Sequence, residues 1–185
     1  MQALVQSLQT LSRSNQAELV KLAAAELRAA RAVIIPTDTV YGLAVLPDNT
    51  DLLFELKQRP THKAVAILVA RPVDAEMLFN PFPTTRRLME QHWPGALTIV
   101  QDGCGVRCPD HPLVQALASV VGPVATTSAN LSGQPTPHTA AEASAPFPAV
   151  QLVIDGGRLR APASTVVEVA QDGLYILRQG VVEVA

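Results

Sequence analysis

Three short apolar runs, each reached from a helical pattern and followed by small polar residues, restrict the fold more than any other feature of this sequence. The runs are AVII at 32–35, VAILVA at 65–70 and PVATTS at 123–128. Each has the length of a buried strand, and apolar residues recur at helical spacing in the segments before them, 15–31, 50–59 and 110–120. Strands that alternate with helices favour an α/β fold, in which the helices lie against a sheet.

Polar residues mark where three of the helices are expected to begin. Asn15, with Glu18 three residues later, has the spacing of a capping box, and Asp110 stands just before the third helical segment. Both are therefore predicted N-caps. A Pro- and Ala-rich connector follows the third strand at 133–149, and a short helix is predicted to begin there at Thr139.

Two Asp-Gly pairs, Asp102-Gly103 and Asp172-Gly173, each separate two β-like runs and predict two-residue hairpin turns. Hairpins add antiparallel pairs to the strands that helices connect, so the predicted sheet is mixed and twisted, with helices against it. With 185 residues and 48% hydrophobic content, the chain is long enough to bury one sizeable core. We predict a single domain over 1–185, with 1–14 as a poorly ordered N-terminal segment.

Charge and composition narrow the classes of function. The formal net charge of -2 argues against a general nucleic-acid coat, so any anion site must be local. The cysteines Cys104 and Cys108 fit a reducing compartment, and the first residues lack the pattern of a secretory signal, so we expect a cytoplasmic protein. Prolines interrupt the uncharged stretch 111–141, and we therefore expect no membrane span.

Several familiar cofactor and metal motifs are missing from the sequence. It contains no P-loop, no HExxH and no GxSxG. Gly103 and Gly105 begin a dinucleotide-binding pattern, but Cys108 stands where the third glycine belongs. Cys104, Cys108 and His111 lack the second pair of ligands that is typical of a structural zinc site. We predict reduced cysteines on one strand face and no dedicated metal site.

Three cations, Lys57, Arg59 and Lys63, gather within seven residues at the end of a predicted helix. Two interpretations fit this cluster. Cations favour a helix C-terminus and solvent, which would make the cluster structural. Alternatively, Lys57 and Arg59 flank one residue and point the same way in an extended turn, where the guanidinium fork suits a phosphate. The second interpretation predicts an anion clamp.

Polar corners follow two of the predicted strands. The first is PTDTVYG at 36–42 and the second is TTSAN at 126–130. Threonine and aspartate commonly cap turns and strand ends, which is the simpler explanation. Ligands of open α/β sheets also gather outside strand ends, so the two corners together indicate one cleft with a neutral polar wall.

Seven segments, taken in order, resemble the YrdC family of threonylcarbamoyl-adenylate synthases. They are PTDTVYGL, KQRPTHK, WPGALT, VRCPDHPL, TTSANLSG, STVVEV and LRQG. The resemblance extends over nearly the whole chain from about Arg31, and an ordered set is more specific than any one segment. A related subgroup lacks the KxR and SAN elements, whereas this chain has Lys57, Arg59 and Ser128-Ala129-Asn130. The resemblance therefore points to the synthase side.

The resemblance implies a twisted sheet around a large concave basic cavity. It also implies a nucleotidyltransferase that converts L-threonine, bicarbonate and ATP into threonylcarbamoyl-AMP and pyrophosphate. ATP is then a substrate, with Mg²⁺ expected to accompany it. The product serves the threonylcarbamoyladenosine modification of tRNA, which implies transient contact with a downstream tRNA-modifying transferase complex. Attack on the α-phosphorus depends on positioning and charge stabilisation more than on a strong base.

The matching positions imply residue roles on the nucleotide side of the cavity. Lys57 and Arg59 would be the catalytic residues and would hold the ATP phosphates. Ser128 and Asn130 would hydrogen-bond the nucleotide or the carbamate from the opposite wall. Arg178 of LRQG would add a further phosphate contact.

The same resemblance implies a set of residues for threonine and its carbamate. Arg107 of VRCPDHP would bind the threonine carboxylate. It would be helped by Thr37, Tyr41, Lys63 and Ser164.

The segment between WPGALT and VRCPDHP departs from the family pattern, because the chain turns back after IVQDGCG where relatives have a longer excursion. A shorter hairpin predicts a more open cavity and weaker exclusion of water from a labile carbamate. Two alternatives to the synthase therefore stand: a nucleotide-binding paralogue with lost or altered activity, and an RNA-binding module. The net negative charge and the 4% aromatic content argue against the RNA-binding module.

Overall fold

The structure, a computed structural model, describes residues 4–7, 13–58 and 65–184. Its strands are β1 (Leu4–Ser7), β2 (Val33–Ile35), β3 (Gly42–Val45), β4 (Ala66–Leu68), β5 (Leu97–Gln101), β6 (Cys104–Arg107), β7 (Val124–Ser128), β8 (Leu152–Asp155), β9 (Thr165–Ala170) and β10 (Gly173–Arg178). Its α-helices are α1 (Arg13–Arg28), α2 (Thr50–Lys57), α3 (Pro83–His92), α4 (Pro112–Val121) and α5 (Ala140–Ser144). Two 3-10 helices cover Pro47–Asn49 and Pro72–Met77.

The strands of the described residues form one sheet in the order β1-β8-β2-β3-β7-β4-β6-β5-β9-β10. Several strand pairs are parallel, as β2 is with β8 and β5 with β9. The hairpin partners pair antiparallel, as β5 does with β6 and β9 with β10. The predicted α/β class with a mixed sheet and flanking helices is confirmed.

Helices cover the two faces of the sheet, and the alternation of buried side chains along each strand shows which face is which. Val33 and Ile35 pack with α1 and α4, whereas Ile34 between them packs with α5. A third cluster joins α3 to β5, β6 and β9 through residues such as Leu88, Ile99 and Val167. Since successive strand residues point to opposite faces, the apolar runs of the sequence are buried from both sides.

The first predicted hairpin is confirmed and the second is shifted by one residue. Gln101 pairs with Cys104, and Asp102 and Gly103 form the turn with positive φ angles of 52° and 77°. These are the backbone angles for which Asp-Gly is favoured in such a turn. In the second hairpin Gly173 already pairs with Ala170, so the turn residues are Gln171 and Asp172.

Two predicted N-caps are wrong, and one predicted helix start is confirmed. Helix α1 begins at Arg13, so Asn15 lies inside it, and the cap of α4 is His111 rather than Asp110. Pro112 occupies the first turn of α4, where its fixed φ and missing N–H suit a helix start. Thr139 caps α5 by accepting a hydrogen bond from the Glu142 backbone N–H.

Part of the predicted N-terminal segment 1–14 is described as strand β1, which pairs with β8. Residues 1–3 and 8–12 lie outside the described residues. None of the helices described is long and apolar enough to cross a membrane.

Candidate functional site

A cavity of about 190 Å³ opens on the face of the sheet that also carries the α1 and α4 core. Leu68 belongs to both, since it packs in that core and lines the cavity. The lining side chains of neighbouring strands are cross-strand partners, as Ala66 is of Thr126 and Thr98 of Val166. Cross-strand partners share a face of the sheet. The opposite face is filled by the α3 cluster, which gives the cavity a packed floor.

Small residues make room at the floor of the cavity. Gly105 pairs with Ala66 and Val100, and a Cβ at position 105 would meet the Val100 side chain at 3.6 Å. Gly42 stands at the wall, where a Cβ would approach the Thr126 hydroxyl oxygen to 2.7 Å. Any larger residue at position 42 would therefore displace Thr126, whose hydroxyl donates to the Leu43 carbonyl oxygen at 3.1 Å.

Arg107, at the end of β6, extends into one end of the cavity. Its Nε donates to the Gly95 carbonyl oxygen at 2.9 Å, its Nη1 to the Thr39 hydroxyl at 2.9 Å and its Nη2 to the Asp38 carboxylate at 2.6 Å. Burial lowers the pKa of Arg107, while Asp38 acts in the opposite direction and favours the charged guanidinium. The ion pair is buried, with 7% of the Arg107 side chain and 15% of the Asp38 side chain exposed.

The loop before β3 is organised around Thr37. The Thr37 hydroxyl accepts from the backbone N–H groups of Thr39 and Val40, both at 3.1 Å, and donates to the Val40 carbonyl oxygen at 2.7 Å. The Thr39 and Thr37 hydroxyls are 3.1 Å apart. A continuous chain of donors therefore runs from Arg107 through Thr39 to Thr37, which fixes the loop against the arginine.

Arg178, at the end of edge strand β10, lines the cavity as well. Its Nε and Nη2 donate to the Ser164 carbonyl oxygen at 3.1 and 2.8 Å, and Nη2 also contacts the Ser164 hydroxyl at 3.0 Å. The Ser164 hydroxyl is 3.0 Å from that of Thr98. Partial burial lowers the pKa of Arg178. Arg107 and Arg178 are close enough for their charges to repel, and none of the described lining residues is acidic.

Lys57, the last residue of α2, is 3% exposed and reaches the back of the neutral wall. Its ammonium donates to the Ser128 carbonyl oxygen and contacts the Thr127 hydroxyl at 3.3 Å. The SAN segment and the KxR lysine are therefore in direct contact, although 70 residues separate Lys57 from Thr127. Arg59 and Lys63 lie outside the described residues.

The predicted site residues that the structure describes divide into three groups: five line the cavity, one reaches its wall from behind and two lie elsewhere. Thr37, Arg107, Ser128, Ser164 and Arg178 line the cavity together. Lys57 reaches its wall from behind.

Two further predicted residues do not line this cavity. Tyr41 is fully buried on the other side of its loop, where its hydroxyl donates to the Gly157 carbonyl oxygen at 2.6 Å and accepts from the Gly156 N–H at 3.1 Å. Burial raises the pKa of Tyr41. Asn130 faces the adjoining pocket, and its Nδ2 donates to the Gln134 carbonyl oxygen at 2.6 Å.

This adjoining pocket, of about 600 Å³, is walled largely by the Pro-rich connector. Thr136 lines both pockets and so joins them. The described residues that line it are Ala129, Asn130, Leu131, Gln134, Pro135, Thr136, Pro137, His138, Glu142 and Pro146. The combined space therefore has a small end between two arginines and a wider, mostly uncharged end.

Thr98, Val100 and Gly105 line the cavity but were not predicted as site residues. The predicted hairpin at Asp102-Gly103 would have been enough to place them at the cavity. Its register pairs Val100 with Gly105, and strand alternation places Gly105 on the same face as Arg107, two residues later. Once Arg107 is assigned to the cavity, the register of the hairpin therefore assigns Gly105 and its partner Val100 to the cavity as well.

The two cysteines pack in the α3 cluster, as expected for one strand face. Cys104 is half-buried and Cys108 fully buried, and both are reduced. Burial raises the pKa of both thiols, that of Cys108 to about 11. Among the described residues, no group of three or more His, Cys, Asp or Glu side chains is placed to hold a metal ion.

Comparison with known proteins gives consistent matches. The Sua5/YciO/YrdC family model, described as telomere recombination, matches residues 25–180. The chain is 36% identical over 180 residues to the threonylcarbamoyl-AMP synthase of Bacillus subtilis, covering 85% of this chain and 52% of that protein. It is 34% identical over 194 residues to the enzyme of the same name from Mus musculus, covering 91% and 69%.

A solved structure with the same fold is that of P. abyssi Sua5 complexed with L-threonine. It superposes with a TM-score of 0.85 at 28% identity, covering 96% of this chain and 58% of that one. The chain thus spans little more than half the length of the Bacillus and P. abyssi proteins.

Proposed function

Since this chain belongs to the Sua5/YciO/YrdC family, we propose that it synthesises L-threonylcarbamoyl-AMP from L-threonine, bicarbonate and ATP, and releases pyrophosphate. The observation that carries the proposal is the pairing of Arg107 and Arg178 in one small cavity with a neutral polar wall. Each substrate of the reaction is an anion or has a carboxylate. A cavity with two guanidiniums and no acid among its described lining residues suits such a set.

In the proposed reaction the threonine amino group and bicarbonate form a carbamate with loss of water. A carbamate oxygen then attacks the α-phosphorus of ATP, and the bond from that phosphorus to the bridging oxygen breaks as pyrophosphate leaves. The protein contributes alignment and charge stabilisation, because the attacking group is already an anion.

Arg107 is the proposed partner of the threonine carboxylate. Three of its five N–H groups are used by Gly95, Thr39 and Asp38. One N–H on each terminal nitrogen is left for a ligand, which is the number a bidentate carboxylate contact needs. Thr37 shapes the loop beside it, and Ser164 holds Arg178 across the cavity.

The nucleotide is proposed to occupy the wider end. Asn130 and the prolines of the connector would surround the nucleoside, and Ser128 would stand where the two pockets meet. Arg178, together with Lys57 and Arg59, would stabilise the phosphates. Lys57 contributes by its contact with the Ser128 carbonyl oxygen, which places a positive charge directly behind the wall.

Mg²⁺ is proposed to enter as the ATP complex, coordinated by phosphate oxygens. The labile product is proposed to pass to a tRNA-modifying transferase in the cytoplasm. Direct tRNA binding has weaker support, because the formal net charge is -2 and steering by a polyanion requires a positive surface.

The test is pyrophosphate release from ATP with and without L-threonine and bicarbonate, combined with mass spectrometry of the adenylate. We expect release only when both co-substrates are present, with threonylcarbamoyl-AMP as the product. ATP binding without threonine-dependent release would refute the synthase and favour a paralogue that retains only nucleotide binding. L-serine in place of L-threonine is the matched control, since it keeps the carboxylate and the amino group and removes one methyl.

A further inference from the structure

Asp38 lies behind Arg107 and is not among the residues that line the cavity. Its Oδ1 accepts from Arg107 Nη2 at 2.6 Å, and the pair is buried on both sides. A substrate in the cavity would therefore meet the guanidinium and not the carboxylate. Asp38 can therefore orient the substrate only through the arginine.

Two separate loops hold the plane of the Arg107 guanidinium. Gly95 comes from the loop before β5, Thr39 and Asp38 from the loop before β3, and Arg107 itself from β6. All three hydrogen bonds have the charged guanidinium as donor, but only Asp38 is also an ionised acceptor, so this contact alone pairs opposite charges. The geometry makes Asp38 the strongest of the three restraints on this side chain.

Gly95 is itself fixed in place. Its N–H donates to the Cys108 carbonyl oxygen at 2.8 Å, and a Cβ at position 95 would lie 2.5 Å from the His92 carbonyl oxygen. The Arg107 side chain is consequently held between a rigid acceptor on one side and Asp38 on the other. Loss of Asp38 would leave the guanidinium free to rotate about its remaining contacts.

Asp38 also offsets the repulsion between the two cavity arginines. The charge of Arg178 disfavours the charged form of Arg107, and the charge of Asp38 favours it. Without Asp38 the buried guanidinium would lose its counter-charge, so it would be driven to turn away from Arg178 and towards water.

We propose that Asp38 is a positioning residue that holds Arg107 in the orientation needed to bind the α-carboxylate of an amino-acid substrate. The proposal rests on the proposed function, because L-threonine is the amino acid it concerns. Asp38 itself does not contact the substrate. A competing explanation predicts the opposite change in threonine affinity. If Asp38 only reduced the positive charge of the cavity, its removal would strengthen carboxylate binding.

The experiment is calorimetric titration of L-threonine into wild type, Asp38→Asn and Asp48→Asn, with and without a non-hydrolysable ATP analogue. Asp38→Asn keeps the shape of the side chain and removes its charge. Asp48→Asn is the matched control, since Asp48 is exposed in the 3-10 helix Pro47–Asn49. We expect the threonine Kd of Asp38→Asn to rise on the order of ten- to a hundred-fold, the effect of losing one charged hydrogen bond. The Kd of the ATP analogue stays unchanged.

A double-mutant cycle tests whether Asp38 acts through Arg107. In an Arg107→Lys background, Asp38→Asn is expected to weaken threonine binding far less than it does in wild type, because coupled residues are not additive. Asp38→Glu is expected to keep more of the affinity than Asp38→Asn, since it retains the charge. It also provides the comparison if Asp38→Asn does not fold, which thermal melting shows. Additive effects, or equal affinities for the Glu and Asn variants, would overturn the proposal.

The remaining outcomes separate this inference from the proposed function. Wild-type protein that binds no threonine under either condition would refute both. Wild-type binding that Asp38→Asn leaves unchanged or strengthens would refute only the role of Asp38.

Discussion

The two arginines of the cavity are held in opposite ways. Arg107 lies in the middle of the sheet, is buried, and donates to three acceptors from two loops, one of them a carboxylate. Arg178 ends an edge strand, is partly exposed, and donates only to Ser164 among the contacts of the described residues. One guanidinium is therefore part of the fold, and the other is held by a single residue.

Under the proposed function, this difference fits a division of work between the two arginines. A guanidinium with a buried counter-charge keeps one orientation and suits a ligand group of constant geometry, such as a carboxylate. A guanidinium at a strand end adjusts at low cost, which suits a phosphate whose charge and position change during transfer. Substitutions of the two arginines should therefore differ in their effect on stability as well as on activity.

The largest effect is expected for Arg107→Ala, which should reduce both stability and activity. The change leaves the partly buried Asp38 without its counter-charge, and breaking a buried pair in this way costs up to about 3–5 kcal/mol. Chemical denaturation measures the stability loss, and threonine-dependent pyrophosphate release measures the activity. A variant of wild-type stability would show that the ion pair is not part of the fold and would remove the contrast with Arg178.

Arg178→Ala is expected to reduce turnover strongly while the free energy of unfolding changes by no more than about 1 kcal/mol. Its partner Ser164 keeps its contact with Thr98, and Arg178 stands at an exposed strand end rather than in the core. The same two assays apply. Arg178→Lys serves as the control, because it retains the charge without the planar fork. A large loss of stability would mean that both arginines are structural.

The contrast between the arginines also shows how far the sequence alone leads. The alternation of apolar runs with helical patterns predicted the class of fold, and the first Asp-Gly pair predicted a hairpin with the correct register. Arg107 and Arg178 were both assigned to the site from their motifs. The pairing of Arg107 with Asp38 was not predicted, because 69 residues separate them and they come from strand β6 and the loop before β3, with β7 and β4 between these strands in the sheet.

Tyr41 shows a second limit, since it lies in the same polar corner as Thr37 and Thr39 and was assigned to the threonine side of the site with Thr37. Tyr41 directly precedes β3 and packs on the face of Leu43. Gly42 points towards Thr126 and the cavity, whereas Leu43 packs in the cluster with Tyr41 and α5 on the opposite face. The helical N-caps at Asn15 and Asp110 failed for a related reason, because a local signal does not fix where packing starts a helix.

Tyr41→Phe is expected to reduce stability by about 1–3 kcal/mol and to leave the activity of the folded protein unchanged. The partly buried Gly156 N–H and Gly157 carbonyl oxygen would lose their partner, and unsatisfied groups shielded from water carry this cost. Denaturant unfolding and pyrophosphate release at saturating threonine measure the two properties. A loss of activity at full stability would show that Tyr41 contacts the substrate, and that its hydroxyl makes a neutral hydrogen bond beside Arg107.

Ser164→Ala is expected to have the smallest effect, and it measures how loosely Arg178 is held. The substitution removes the hydroxyl that contacts both Arg178 and Thr98, but the Ser164 carbonyl oxygen still accepts from Nε and Nη2 of Arg178. Losing one such hydrogen bond costs about 0.5–1.5 kcal/mol, or roughly two- to tenfold in kcat/KM. Steady-state kinetics of pyrophosphate release detects a change of this size. An effect as large as that of Arg178→Ala would show that the hydroxyl itself fixes the guanidinium, which would make the strand-end arginine as rigidly held as Arg107.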